Sequence, residues 1–575
     1  MTHVRYFTLL LLFACLPHLQ AQDISSIAKS DPLIITGAVG TQNTYYYSSL
    51  GHGYASPLSN MVYLNMNISV YGFSMPFSFY YTNDNLDFNY PQLSFSLNPR
   101  YKNWTGYLGS GSMDYSQYVM SMSFKGVGVE YANDRFRAGG WYGVLRNAVN
   151  DDPTDPSARR PQYKRLGWGF KVGYGQGANY IDLYFLRAYD RLKSIDSRWQ
   201  DKIAPQENIV VGLKGGYQPL SFLSLNANIA ASAFSTDTRA EEVTEDVYDS
   251  GVWGKVFDTR YTSMARFAGD VSANFMLPNF NAQVFFRLVQ PDYLSLGTYY
   301  LSNNYQALGL NLSTTLFRRL SLSATLSDQR DNLSNKQLYT THGYVYSATA
   351  ATRLAKWLNL AAVYSGYTQR QDDGSVKVND TTRVNRCMQS FTLTPSASFD
   401  TENFSHSVSL AASLTDNKDK NHFATGETDV SSSAVGLTYS LGVKPWATNF
   451  TASLSHQESK GFNSKYISNL GSLTANRSFL RDDALNVSAT LNLIYNEISG
   501  QSKSLSLGCD LSMSYTLAKV HVFTVGASMN KYGDVNLSKR HSGLDATDIT
   551  ASLNYAYTFS LIELKSKSHK QEDKY

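Results

Sequence analysis

Apolar and polar residues alternate one for one over runs of about ten positions, and this rhythm recurs along most of the chain. In one such run Leu485, Val487, Ala489, Leu491, Leu493 and Tyr495 are interleaved with Asn486, Ser488, Thr490 and Asn492. A strand points successive side chains to opposite faces, so each run has one greasy face and one hydroxylated face. The run from Leu505 to Leu517 divides the same way, with Leu507, Cys509, Leu511, Met513 and Tyr515 set against Ser506, Gly508, Asp510, Ser512, Ser514 and Thr516. So do Leu308, Leu310 and Leu312, and Val435, Leu437, Tyr439 and Leu441.

The connections between runs alternate too. From Asn208 onward tight turns are predicted near Gln218-Pro219, Leu277-Pro278-Asn279, Arg318-Arg319, Lys356, Thr401-Glu402, Lys444-Pro445, Arg481-Asp482 and Lys519. Longer polar stretches lie between them: Thr236 to Asp258, Asp328 to Thr341, Gln369 to Arg386, Thr415 to Thr428 and Asn530 to Asp545. Short turns on one side and long loops on the other are the plan of an outer-membrane barrel. The fold class expected is therefore all-β: a large transmembrane antiparallel up-and-down barrel of about 24 strands, roughly 22 to 26. Closure is compulsory, because an edge strand in hydrocarbon would leave amides unpaired. Between Asp84 and Tyr118 the count is off by one strand, so either Trp104 to Tyr118 hides a strand or this stretch folds inward.

The ends of the chain read separately. Residues 1–21 form a signal peptide, with Arg5, an apolar run from Tyr6 to Leu16, and Leu19-Gln20-Ala21 before the cleavage point. Leu12-Phe13-Ala14-Cys15 resembles a lipoprotein signal only loosely. Residues 22–59 are an N-terminal segment, either a small hatch or a first strand beginning near Leu33; 60–564 is the barrel; 565–575 is a charged tail. The segment is too short for the globular plug of a TonB-dependent receptor. The last strand, Ile549 to Leu561, carries Leu553, Tyr555, Tyr557 and Phe559 on one face, a signal of the kind that barrel-insertion machinery reads.

Composition adds exclusions. The chain has 575 residues, 17% of them charged, with 41 tyrosines and a formal net charge of +4, which rules out disordered and coiled-coil classes. No stretch beyond the signal has the roughly 18 consecutive apolar residues of a membrane helix. Cys387 and Cys509 lie on separate strands, too far apart in a meander to bridge. No cofactor is called for, nor nucleic acid as a partner; the lipid bilayer and the insertion machinery are the expected partners, with a protein partner at either rim an open alternative.

Candidate chemistry concentrates in the first half. Gly167, Gly169, Gly173 and Gly175 share one face with Lys171; Asp182 lies with Tyr180 and Tyr184 on the next strand, and Lys214 with Gly212 and Gly216 on the one after. A turn symmetric about Gly175 to Ala178 would set Lys171 opposite Asp182. Under one reading the bare inner wall admits a plug segment, partner or solute, with Lys171, Asp182 and Lys214 as anchors. Under the other, which we favour on sequence, the glycines bend a coiled sheet and the charges are hydrated lumen residues. Arg266, Asp270 and Arg287 also project inward, as a transverse field or, the reading we favour, a structural ion pair. Inward positions farther along are Ser, Thr, Asn, Ala and Gly, which argues against strong charge selectivity.

Other motifs carry less. The acidic run Glu241 to Asp249 lacks the ligand spacing of a calcium loop. Tyr45, Tyr46 and Tyr47 beside His52 fit an interfacial girdle. The ten histidines form no zinc spacing, and Gly109-Ser110-Gly111-Ser112 lacks the setting of a nucleophile elbow.

Three stretches, Asp31-Pro32-Leu33-Ile34-Ile35-Thr36-Gly37, Tyr71-Gly72-Phe73-Ser74-Met75-Pro76-Phe77-Ser78-Phe79 and Tyr163-Lys164-Arg165-Leu166-Gly167-Trp168-Gly169-Phe170, resemble those of a poorly characterised family of outer-membrane β-barrel proteins of Bacteroidota. The resemblance implies the fold and an outer-membrane location, and no substrate or catalytic residue. On these grounds the leading expectation is a channel passing a solute or polypeptide through a polar lumen, not an enzyme. The alternative is a plugged barrel that anchors a partner of a secretion or surface-structure complex. A membrane hydrolase stands third, and His406 and Ser409, on opposite faces, do not serve it.

Overall fold

The computed structural model describes residues 31–51, 57–83, 93–150, 161–243, 257–424, 426, 428–461, 463–499, 502–534 and 546–564. The segment 1–21 expected to be a signal peptide, His52, Thr244 to Asp249 and the tail Lys565 to Tyr575 lie outside the described residues.

Strands form wherever the two-residue period runs. The first third of the sheet comprises β1 (Leu33–Ser48), β2 (Leu58–Val70), β3 (Phe73–Thr82), β4 (Leu93–Leu97), β5 (Arg100–Tyr101), β6 (Trp104–Gly111), β7 (Phe124–Ala132) and β8 (Phe136–Arg146). Next come β9 (Arg165–Gln176), β10 (Asn179–Asp190), β11 (Glu207–Leu220), β12 (Leu223–Ser235), β13 (Ser263–Leu277), β14 (Phe280–Val289), β15 (Tyr305–Leu316) and β16 (Leu320–Asp331). The remainder are β17 (Tyr339–Ala355), β18 (Leu358–Asp373), β19 (Asn385–Asp400), β20 (Phe404–Asp419), β21 (Val430–Val443), β22 (Thr448–Gly461), β23 (Ser464–Phe479), β24 (Leu485–Ile498), β25 (Ser502–Leu517), β26 (His521–Asp534) and β27 (Ala546–Leu564).

Each strand pairs antiparallel with its sequence neighbours. The short pieces β4 and β5 share one place between β3 and β6. The sheet closes where β1 pairs with β27 from Leu33↔Leu564 to Ser48↔Asp548, giving a barrel of 26 strands. An even number is what threading a closed antiparallel wall requires. Over Leu33–Ser48, then, the N-terminal segment is a wall strand bonded along both edges. The irregularity between Asp84 and Tyr118 has a double origin: Trp104–Gly111 is a strand, and residues 112–123 turn into the lumen.

The greasy face is outside. Leu505, Leu507 and Leu511 are 41%, 51% and 53% exposed, as expected for side chains solvated by acyl tails. Exposed Trp104, Tyr217, Trp357 and Trp446 stand at the short-turn end, and Tyr45 and Tyr47 near the opposite rim, as interfacial girdles do.

Two details of the strand reading shift. The turn expected at Gln218-Pro219 lies at Ser221-Phe222, because β11 continues past a register irregularity after Tyr217. The outer loops are shorter than their polarity suggests: pairing runs to Asp331, Asp373, Asp419 and Asp534. Backbone pairing beyond the membrane needs no greasy side chains, so polar sequence extends the wall. Wall height is therefore uneven, with 16 residues in each of β18, β19 and β20 against 8 in β6 and 9 in β7.

Candidate functional site

The best-buried part of the molecule lies inside the barrel. Two connections of the long-loop end, residues 112–123 between β6 and β7 and 290–304 between β14 and β15, descend into the lumen and pack against the inner wall of β7 to β15. Met113, Tyr115, Tyr118, Val119, Met120 and Met122 of the first segment, and Tyr293 and Leu296 of the second, meet inward Trp141, Tyr184, Leu186, Val210, Ala230, Ala268 and Val289. The opposite edge of the first segment is polar, with Ser112, Asp114, Gln117, Ser121 and Ser123 exposed, while the second exposes Asp292, Tyr299, Tyr300, Ser302 and Asn303.

Glycines make the docking possible. A Cβ on Gly212 would overlap the Val119 side chain, and one on Gly128 would lie 2.8 Å from Met113 Cε. On Gly169 it would come within 3.1 Å of Tyr115 Oη. Here the bare wall admits a segment of the chain itself, the reading set second on sequence grounds.

Hydrogen bonds fix the two segments to one another. Ser121 N and Met122 N donate to Gly297 O, both at 3.0 Å; Tyr293 Oη donates to Tyr118 O at 2.8 Å, and Ser295 Oγ to Val119 O at 2.5 Å. Others fix them to the wall. Ser116 Oγ donates to Asn228 Oδ1 at 2.6 Å, Tyr118 Oη and Gln117 Nε2 donate to Asp270 Oδ1 at 2.6 and 3.2 Å, and Leu296 N donates to Asn208 Oδ1 at 3.0 Å. Burial, and then the Asp270 carboxylate, push the Tyr118 phenol upward, so it remains a neutral donor.

The candidate residues fall around this dock. Lys171 is buried, 2.7 Å from Glu130, and its Nζ donates to the Asp114 carbonyl at 3.2 Å. Asp182 takes Arg137 instead, through Nη2 at 2.8 Å and Nε at 3.1 Å. Lys171 and Asp182 are thus not partners: the hairpin turns at Gly177-Ala178, so Lys171 faces Tyr184 and Asp182 faces Gly173. Tyr184 is buried against Tyr115, ring centroids 5.4 Å apart. Lys214 stands cross-strand from both Asp182 and Asn228, without a carboxylate within 4.0 Å among the described residues. Asp270 and Arg287 are direct cross-strand partners, yet the expected ion pair is not formed within 4.0 Å among the described residues, because the Asp270 carboxylate accepts from Tyr118 and Gln117. Arg266 turns away to the plug, its Nε donating to Pro291 O at 2.9 Å, with Asp292 at 3.9 Å.

Sequence reading missed Glu130 and Arg137. Their signal was present, since Glu130 alternates with Gly126 and Gly128, and Arg137 with Gly139 and Gly143. The acidic loop contributes Glu242, 3.1 Å from Arg260.

The opposite wall is different. From β17 to β27, inward positions outside the first and last three residues of each strand carry one charged side chain among the described residues, Asp510, which accepts from Asn492 Nδ2 at 3.2 Å; Arg353, Asp373, Arg386, Asp419, Asp534 and Asp548 share the inward face at the strand ends. Hydroxyls fill most of the rest and bond sideways, as in Ser432 to Ser459 at 2.9 Å, Ser440 to Thr451 at 3.1 Å and Thr474 to Thr490 at 3.1 Å.

No protein-family model matches the chain, and no curated protein does. Among solved structures it resembles the P pilus usher (PapC) translocation pore at 11% identity and a TM-score of 0.34, over 92% of this chain and 100% of that one. It also resembles OccAB2 of Acinetobacter baumannii at 11% identity and a TM-score of 0.30, over 66% and 96% of the two chains. OccK8 (OprE) of Pseudomonas aeruginosa shares 11% identity at a TM-score of 0.31, over 66% and 97%. The barrel assignment rests on the strand pairing itself.

Proposed function

We propose that the protein is a channel of the outer membrane, without enzymatic chemistry, in which polar solutes or an extended polymer pass between a fixed inner plug and a hydroxylated half-wall. The carrying observation is the one-sidedness of the lumen: the plug docks on β7 to β15, while β17 to β27 keep small polar side chains inward. A barrel of 26 strands encloses more space than wall side chains can fill, and two short loops cover one flank of it. The plug's close packing and its many hydrogen bonds make it a constriction built into the wall.

The hydroxyl wall supports weak ion selectivity, because one mid-wall carboxylate in so wide a lumen acts only within a Debye length of roughly 8 Å. Loop orientation follows from insertion, with the short turns periplasmic and β27 presenting Tyr555, Tyr557 and Phe559 to the insertion machinery. Purified protein in planar bilayers is expected to give discrete, weakly ion-selective conductance. Complete silence, both intact and with residues 112–123 and 290–304 replaced by short linkers, overturns the proposal.

A further inference from the structure

Resting on the channel reading above, we infer that the permeant is a neutral carbohydrate chain, held by hydroxyl contacts along the β17 to β27 wall and by aromatic rings on the lumen surface.

The rings supply the specific part. Tyr63 is an inward residue of β2 and the direct cross-strand partner of Gly40; a Cβ on Gly40 would lie 2.5 Å from Tyr63 Cζ and from its Oη. The phenol end of the ring therefore lies over the bare backbone of Gly40 on the lumen side of the wall. Tyr367 of β18 covers Gly343 in the same fashion, 3.1 Å from a Cβ built there, and Phe285 of β14 covers its cross-strand partner Gly309. Tyr63 and Tyr367 are both half-buried, which leaves part of each ring open to the lumen.

A pyranose has the complementary chemistry. Its axial C–H groups form an apolar face that stacks on a ring, and its equatorial hydroxyls exchange hydrogen bonds with Ser, Thr and Asn. The wall hydroxyls already bond to one another, so a passing sugar replaces weak lateral bonds with similar ones. Neither a strong charge nor an apolar shelf then arrests it. A polypeptide bears charged and bulky apolar groups at irregular intervals, which this wall does nothing to match; an anionic polymer meets an inward arginine only at the ends of this wall, Arg386 and Arg353, and none between them among the described residues.

The test is saturation-transfer NMR on the full chain in detergent, with maltoheptaose, its sulfated form and an uncharged Gly/Ser/Asn decapeptide as probes. Maltoheptaose alone is expected to receive saturation. The double variant Tyr63→Leu/Tyr367→Leu, which keeps an apolar side chain at both positions without a ring, is expected to weaken its binding about tenfold, and Tyr63→Phe/Tyr367→Phe to retain it. Saturation of the peptide or the sulfated sugar in place of maltoheptaose overturns the inference, as does equal binding by the leucine variant. Because binding is read without current, silent bilayers count against the channel and an unsaturated maltoheptaose counts against the sugar. Heat-modifiable gel migration of each variant reports that the barrel has formed.

Discussion

At the scale of single residues, absent side chains matter as much as present ones. Gly212 is the sharpest case, since any Cβ there meets Val119 of the plug. Gly212→Leu is expected to lift the plug from the wall while leaving strand pairing intact, and so to raise single-channel conductance with heat-modifiable migration unchanged. Asp270→Asn removes the charge from the acceptor shared by Tyr118 and Gln117. A hydrogen bond to a charged group contributes about 1.5–3 kcal/mol, so thermal unfolding of a chain this long should fall by roughly one to three degrees, whereas Asp510→Asn in the open wall should change it little. The inward row of glycines was legible in the sequence, and so was the inward parity of Lys171, Asp182 and Lys214. What they faced was not. Pairing depends on where a hairpin turns: centring the β9–β10 turn one residue later separates Lys171 from Asp182, and the registers of β7, β8 and β9 then bring Glu130 to Lys171 across Gly139 and Arg137 to Asp182 across Gly173.

Among elements, the plug segments behave as a pair. Each supplies partners that the other needs: Gly297 O for Ser121 and Met122, Val119 O for Ser295, Tyr118 O for Tyr293. Replacing residues 112–123 with a short linker leaves those groups of 290–304 uncompensated. The conductance gain from removing both segments is therefore expected to be smaller than the sum of the single gains, a coupling that a double-deletion cycle in bilayers measures. From sequence this element was only half visible. Residues 112–118 place Met113, Tyr115 and Ser116 against the wall and expose Ser112, Asp114 and Gln117, a near-alternation close to that of a strand. Local periodicity reports that one side is covered and not what covers it. The covering partners, Tyr293 and Leu296, are too distant along the chain for any local window to connect. The half-wall from β17 to β27 was read more fully, because there the lipid and the lumen impose the two-residue period without any tertiary contact.

At the scale of the whole molecule, closure depends on the first and last strands. Deleting residues 22–48 would expose both the β2 and the β27 edge. The expected outcome is failure to insert into liposomes and loss of heat-modifiable migration; a hatch would be dispensable in the same assay. The same closed wall sets an order of assembly. Ser295 reaches Val119 across 176 residues of chain, and inward Leu186, Val210 and Val289 on the strands made in between are completely buried in the finished barrel. Were those strands paired before residues 290–304 were in place, Leu186, Val210 and Val289 would stand uncovered opposite a greasy outer face. Closing this flank of the wall is therefore expected to be coupled to docking of the second segment rather than to precede it.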